Sequence, residues 1–250
     1  MIFTFSNQKG GDGKTSLAYN IAARYASNGK KVLVIDGDPQ GNLTKSFIEG
    51  EPTCETLLLF NEGNLETEPE KITKNLSLIG TTKDLSIIEE RDFEVIYLFR
   101  ENVLKIADKY DYIFIDAPPS LSKLSISILS ATKYVIIPVN ASPYSVMGVV
   151  ETLKLVQKVR KRINNELELF GIIFNKLKPR VKFYHEMVHA VEDIEHHMIF
   201  DTVINDSIRF PEASSKRMPV FEYAPKSKSA EQISAFQKEI EKRLKKFKKS

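Results

Sequence analysis

The 250-residue chain has one cysteine, Cys54. A lone thiol builds no disulfide framework, and within one chain it excludes a multi-cysteine metal or iron–sulfur centre. A buried structural thiol is expected. No apolar run approaches the ~20 residues of a spanning helix. The chain starts directly in an apolar segment without a basic leader region, so no signal peptide and a cytoplasmic setting are expected. An excess of one charge sign is also missing. Lys plus Arg total 36 against 33 Asp plus Glu, a net of +3, so distribution has to carry any argument about partners. Histidine is scarce, with four in all. His185 and His189 stand i,i+4, but no third ligand lies at metal-binding spacing, and a polar helix face is the simpler account.

Hydrophobic residues make up 42% and charged residues 28% of the chain, ordinary for a globular protein. One large α/β domain over 1–250 is expected. The run Ile2-Phe3-Thr4-Phe5 reads as a short buried strand, and the Ala-rich run from Leu17 to Ala26 as a helix. Between them lies Ser6-Asn7-Gln8-Lys9-Gly10-Gly11-Asp12-Gly13-Lys14-Thr15-Ser16. Strand, glycine loop, Lys-Thr-Ser and helix, in that order, make a phosphate-binding loop. Gly10, Gly11 and Gly13 let backbone N–H groups converge without Cβ obstruction. The helix start adds roughly half a positive charge. Lys14 can reach the β and γ phosphates, and the Thr15 hydroxyl is placed to ligate Mg²⁺.

Lys30 to Ile35 reads as a second buried strand, ending in Asp36-Gly37-Asp38-Pro39-Gln40-Gly41-Asn42. Tyr110 to Ile115 is a third, ending in Asp116-Ala117-Pro118-Pro119. Carboxylates that end parallel strands lie on the edge where open α/β sheets bind ligands. An apolar strand followed by an acid is the Walker B layout, so Asp116 is read as a metal carboxylate. Further strands are expected at 76–80, 134–139 and 169–175. Helices are expected over 121–132, from Ser142-Pro143 through Val159, and from Ser229 on, and 85–109 reads as one helix or as two broken near Arg91-Asp92. Residues 54–60 read as one or two helical turns, and 62–74 as a polar surface excursion.

Lys9, directly before Gly10-Gly11, makes the loop resemble the deviant Walker A motif of the ParA/MinD superfamily, Lys-Gly-Gly-x-Gly-Lys followed by two Ser or Thr. The segments at Asp36–Asn42 and Asp116–Pro119 also resemble those of ParA proteins, and so does the region 202–228. The resemblance covers nearly the whole chain. It implies a doubly wound, mostly parallel sheet with helices on both faces, and a slow, Mg²⁺-dependent ATPase. It implies that Lys9 crosses a dimer interface to the partner's nucleotide, that Asp38 positions the attacking water, and that Asp36 acts toward Mg²⁺ from behind. It gives Asn175 the adenine edge, with Pro211 and Glu212 where backbone groups contact the base. Gly10, Gly11, Asp12, Gly13, Lys14, Thr15 and Ser16 form the nucleotide loop.

Two departures stand out. The loop's variable position is usually small or aliphatic in the family, and here it is Asp12. A carboxylate about 6 Å from a phosphate charge at an effective dielectric of ~20 costs roughly 3 kcal/mol. Asp12 is expected to face the dimer interface near a basic residue. Asp206-Ser207 stands where relatives often carry Arg-Asn, a DNA contact.

The last helix, about 229–249, carries Ile233, Phe236, Ile240, Leu244 and Phe247 on one stripe. Lys238, Lys242, Arg243, Lys245, Lys246, Lys248 and Lys249 lie on its other face and tail. Core packing with a solvated basic face, DNA-backbone binding and a membrane-surface helix are the three readings. The resemblance implies an ATP-closed homodimer that binds double-stranded DNA non-specifically, works with a ParB-type partner and associates with the nucleoid. A MinD-like membrane ATPase and a biosynthetic P-loop synthetase are the alternatives.

Overall fold

The computed structural model describes all residues except 64–66, 141, 143–144, 178–197 and 248–250. The four histidines, Pro143, Lys248 and Lys249 lie outside the described residues.

Seven strands form one sheet: β1 Ile2–Phe5, β2 Val32–Asp36, β3 Glu70–Thr73, β4 Leu76–Ile79, β5 Tyr112–Asp116, β6 Tyr134–Val139 and β7 Glu168–Phe174. Their order is β3-β4-β2-β5-β1-β6-β7. Every pairing is parallel except β3 with β4 at the edge. Among the described residues the α-helices are α1 Lys14–Ser27, α2 Asn42–Phe47, α3 Val95–Ala107, α4 Lys123–Ala131, α5 Ser145–Arg162, α6 Arg209–Ser215, α7 Val220–Tyr223 and α8 Lys228–Phe247, with 3-10 turns at Thr56–Phe60 and Lys83–Glu89.

The strands read as continuous apolar runs because both faces of the sheet are covered. Alternate residues serve opposite layers. Phe3 and Phe5 join Val32, Val34 and Phe114 under α1, α7 and α8. Ile2 joins Leu33, Ile35, Ile113 and Ile115 under α3 and α4. A third cluster holds Val135, Ile137 and Val139 against Val149, Leu153 and Val156 of α5. Phe3 sits at the centre of an aromatic group, its ring 5.1 Å from both Tyr134 and Phe170.

Two segments depart from the sequence expectation. The excursion at 62–74 ends in the edge strand β3, paired antiparallel to β4. Only Ile72 in that strand is a large apolar residue, so its period is faint. Helix α2 follows Asp36-Gly37-Asp38 after Gly41, whose φ of 64° is left-handed.

Parallel pairing puts the C-terminal ends of β1, β2 and β5 side by side. Phe5 registers with Asp116, and Asp36 with Asp116. The loop after β1 and both strand-ending acids therefore share one edge, as an open α/β sheet requires of a ligand site.

Candidate nucleotide site

The loop Ser6–Gly13 turns back into α1 through Gly11 (φ 86°) and Gly13 (φ 83°). Both lie in the left-handed region that a side chain strains. A Cβ on Gly13 would also come within 2.1 Å of Asn175 Nδ2. Beyond Gly13, α1 opens with Lys14, Thr15 and Ser16, and no side chain caps its start. Its first N–H groups face the loop, a ready anion site.

Thr15 and Asp116 meet directly. The Thr15 hydroxyl donates to Asp116 Oδ2 at 2.6 Å, while Asp116 Oδ1 is buried without a hydrogen-bond partner. Buried polar atoms are normally paired. A hydroxyl beside a buried carboxylate with one unpaired oxygen is a hard-oxygen donor pair that fits Mg²⁺, which binds through one or two carboxylates plus phosphate oxygens rather than an all-protein cage. Among the described residues no group of three or more His, Cys, Asp or Glu side chains forms a self-contained metal site, consistent with that division.

Asp36 is placed differently. Its Oδ2 accepts from the Thr44 backbone and hydroxyl, both at 2.7 Å, and its Oδ1 from the Asp38 N–H at 3.2 Å. With both oxygens occupied, it suits the indirect role toward a cation. Thr44, on α2, is a positioning residue that the sequence reading missed. Burial pushes Asp36 up to about 6. It pushes Asp116 well above the carboxylate range, and the neighbouring Asp36 adds to that. Two carboxylates held together out of water each favour the proton until a cation arrives. Lys14, whose ammonium donates to Lys9 O at 3.1 Å, is pulled down by burial against the attraction of Asp116, Asp12 and Asp38. Asp38 lies in a tight turn, accepting from Gln40 N–H at 3.0 Å.

The Asp12 expectation is corrected. Its side chain is 0% exposed; it turns into the loop, and Oδ2 accepts from Asn7 Nδ2 at 2.6 Å. The basic company is real: Lys9, Lys14 and Lys176 all pull its pKa down, but burial outweighs them and leaves it at about 6. Asn7 is the hub. Its other amide hydrogen goes to Pro138 O at 2.7 Å, and its oxygen accepts from Lys9 N–H at 3.2 Å. Lys9 folds back within its own chain, its ammonium donating to Ser142 and to Asn140 at 3.4 Å. Helix α5 supports the same loop. A Cβ on Gly148 would come within 2.7 Å of Asn7 Oδ1, and Thr152 Oγ1 accepts from Gln8 N–H at 3.3 Å. Nothing in local spacing flags Gly148 or Thr152, because their partners stand in the loop after β1, far upstream in the chain.

A cavity of about 650 Å³ opens beside Thr15 and Ser16, lined on its far wall by Asp206, Ile208, Phe210 and Pro211. Asn175 and Lys176 at the end of β7 also line it. Asn175 Nδ2 donates to Asp12 O at 2.7 Å, tying this wall to the loop. Pro211 is brought to the cavity. Glu212 is not among its lining residues, and its carboxylate pairs with Arg209 at 2.9 Å.

Residues 1–169 match the AAA domain family. The chain is 32% identical to the sporulation initiation inhibitor protein Soj of Bacillus subtilis, covering 96% of this chain and 97% of that one. The chain belongs to the ParA/Soj family of partition ATPases. To the chromosome-partitioning ATPase Soj of Treponema pallidum this family member is 33% identical, over 94% of its own length and 95% of the relative's. Its fold matches the ATP complex of Cyanothece McdA with a TM-score of 0.81 at 25% identity, covering 98% of this chain and 95% of that one.

Proposed function

We propose that this chain is an ATP hydrolase that switches between a monomer and an ATP-closed homodimer, and that the dimer binds double-stranded DNA without sequence preference to segregate DNA with a ParB-type partner. The observation that carries the nucleotide half is the Thr15–Asp116 contact at the head of α1, with one Asp116 oxygen buried and unpaired. The ATPase and partition names of the Soj relatives and the ATP complex of McdA support the same reading.

The roles follow from position. The N–H groups of Gly10 to Ser16 and the Lys14 ammonium bind the phosphates. Thr15 and Asp116 hold Mg²⁺, and Asp36 steadies that pair from behind. Bound there, Mg²⁺ supplies charge neutralisation to the β and γ phosphates. Asp38 accepts a hydrogen bond from the attacking water and aligns it. Asn175, Pro211 and the backbone at Glu212 receive the base in the cavity beside Ser16. Lys9 leaves Ser142 and Asn140 for the partner subunit's triphosphate.

The DNA half rests on charge placement. Helix α8 ends with the Phe247 ring 5.7 Å from Tyr134, at the start of β6, and α5 ends at Arg162, just before β7 begins. Both basic ends therefore lie on the sheet edge opposite the phosphate loop. Lys158, Arg160, Lys161, Lys242 and Lys245 are exposed there. Two subunits double this surface, which favours phosphate contacts by counterion release. The apolar stripe of α8 is buried, with Ile233, Phe236, Ile240 and Leu244 in the core. It leaves no apolar face for a bilayer. Among the described residues no helix is long and apolar enough to cross a membrane. The expected setting is the cytoplasm, on the nucleoid.

The test is retention on random-sequence duplex DNA at low salt. ATP with Mg²⁺ should raise retention and ADP should not; equal retention with both removes the switch.

A further inference from the structure

The turn before α3 and the start of α4 expose large apolar side chains together. Phe93 is 69% exposed, Tyr97 60%, Leu121 56% and Ile87 46%. Phe93 stands in the turn just before the N-cap Glu94, and Tyr97 in the first turn of α3. The Lys123 ammonium lies 5.3 Å from the Phe93 ring centre, which brings the α4 start, and Leu121 just before it, to the same place. A groove of about 430 Å³ opens alongside, lined by Phe60, Glu62, Glu90, Asp92, Val95 and Leu98 among others.

Carboxylates outnumber cations around this patch, where Lys83 is exposed and Arg91 lines the groove. Glu62, Asp84, Glu90, Asp92 and Glu94 are exposed, and no salt bridge engages any of them among the described residues. Most local cations are turned to backbone oxygens: Arg91 donates to Phe60 O at 3.3 Å, Lys123 to Glu89 O at 2.9 Å, and Arg100 to Ser130 O. An excess of free carboxylates around exposed aromatics, on a chain whose net charge is +3, is a local feature and not a reflection of composition. Contiguous exposed apolar surface of this kind marks interaction sites, and complementary charge selects the partner.

We propose that this face docks a basic amphipathic segment of a partner protein, its apolar side chains on Phe93, Tyr97 and Leu121 and its Lys or Arg side chains on the carboxylates at 90, 92 and 94. A second copy of this chain meeting the patch face to face would set like charges together. An anionic lipid surface would meet the same repulsion. The proposal goes beyond the segregation reading and stands on this surface alone, apart from the nucleotide cavity.

The test uses the full chain and a synthetic amphipathic helical peptide of Leu and Lys, with a counterpart carrying Glu for every Lys. The Lys peptide should bind and protect amides of 87–97 and 121 from hydrogen exchange. The triple variant Glu90→Lys, Asp92→Lys, Glu94→Lys and the double variant Phe93→Ser, Tyr97→Ser should each weaken it by about tenfold or more. All five positions are exposed, and unchanged thermal unfolding together with ATP-dependent DNA retention would show that the variants fold. Equal binding by the variants or by the Glu peptide overturns the proposal. So does protection of 87–97 on concentrating the chain alone, or on adding anionic vesicles.

Discussion

Asp12 puts an acid inside the phosphate loop, and the fold accommodates it by burial. Its carboxyl, raised from 3.8 to about 6, binds a proton more readily in the folded state than in the unfolded one. Stability therefore falls as pH rises between those values, and a constant penalty of about 1–3 kcal/mol remains above them. Asp12→Asn keeps an acceptor for Asn7 and removes the charge. It should stabilise the nucleotide-free protein by about 1–2 kcal/mol at pH 7.5 and by almost nothing at pH 4, read from urea midpoints at both. Equal gains at the two pH values would mean that charge burial is not the cause. The same variant should tighten ATP binding by roughly tenfold, since a negative charge leaves the phosphate loop. Asp36 and Asp116 carry the opposite lesson for the cation. Both favour the proton when the site is empty, so Mg²⁺ uptake with nucleotide should strengthen from about pH 5 to 7.5 and release protons. Calorimetry in buffers of different ionisation enthalpy measures that release; a pH-independent affinity would contradict it.

At the scale of elements, α8 does two jobs that its sequence reads as one. Its apolar stripe is core, and each of Ile233, Phe236 and Ile240 contributes roughly 1.5–3 kcal/mol by burial. Arg243, which the sequence groups with the solvated basic face, is instead a clamp. Its side chain is 15% exposed, pairs with Glu239 at 3.0 Å, and donates to Met198 O at 3.1 Å and to Ile199 O. Its guanidinium lies 3.9 Å from the Phe200 ring centre, and Gly171 makes room for it, because a Cβ there would sit 2.9 Å from Arg243 Nη1. Arg243→Ala should destabilise by about 2–4 kcal/mol, because Glu239 keeps its Asp201 and Thr202 N–H donors but loses its cation, and the Met198 and Ile199 carbonyls lose this donor. Lys242→Gln, exposed next door, should change stability by less than about 0.5 kcal/mol. Denaturant midpoints of the two variants make the comparison. The strands, the phosphate loop and the strand-ending acids were legible in the sequence because each is a local pattern: a continuous apolar run, glycines at fixed spacing, an acid after a strand. Edge strand β3, the Asn7 hub, the support from Gly148 and Thr152, and the Arg243 clamp were not. They depend on which distant segments meet, and local periodicity holds no record of that.

The whole molecule separates its two chemistries. The proposed nucleotide site lies at the C-terminal edge of the sheet, and exposed cations stand at the opposite edge, on the ends of α5 and α8. DNA affinity should fall with salt, and its logarithmic slope should become shallower by about 0.9 for each phosphate that the protein no longer neutralises. Lys158→Gln with Lys161→Gln, and Lys242→Gln with Lys245→Gln, each tested by fluorescence anisotropy across a salt series, should lower the slope while leaving ATP binding intact; an unchanged slope in both pairs would move the DNA surface elsewhere. In the proposed switch dimerisation links the two edges, and Lys9 would exchange its bonds to Ser142 and Asn140 for a partner's phosphate. The most direct measurement is solution mass under ATP, ADP and no nucleotide for the Asp38→Ala chain, with and without Lys9→Ala. Asp38→Ala should hold its ATP and run at twice the monomer mass only with ATP, and adding Lys9→Ala should return it to the monomer. A monomer at every condition, or a dimer that survives loss of Lys9, would contradict the account.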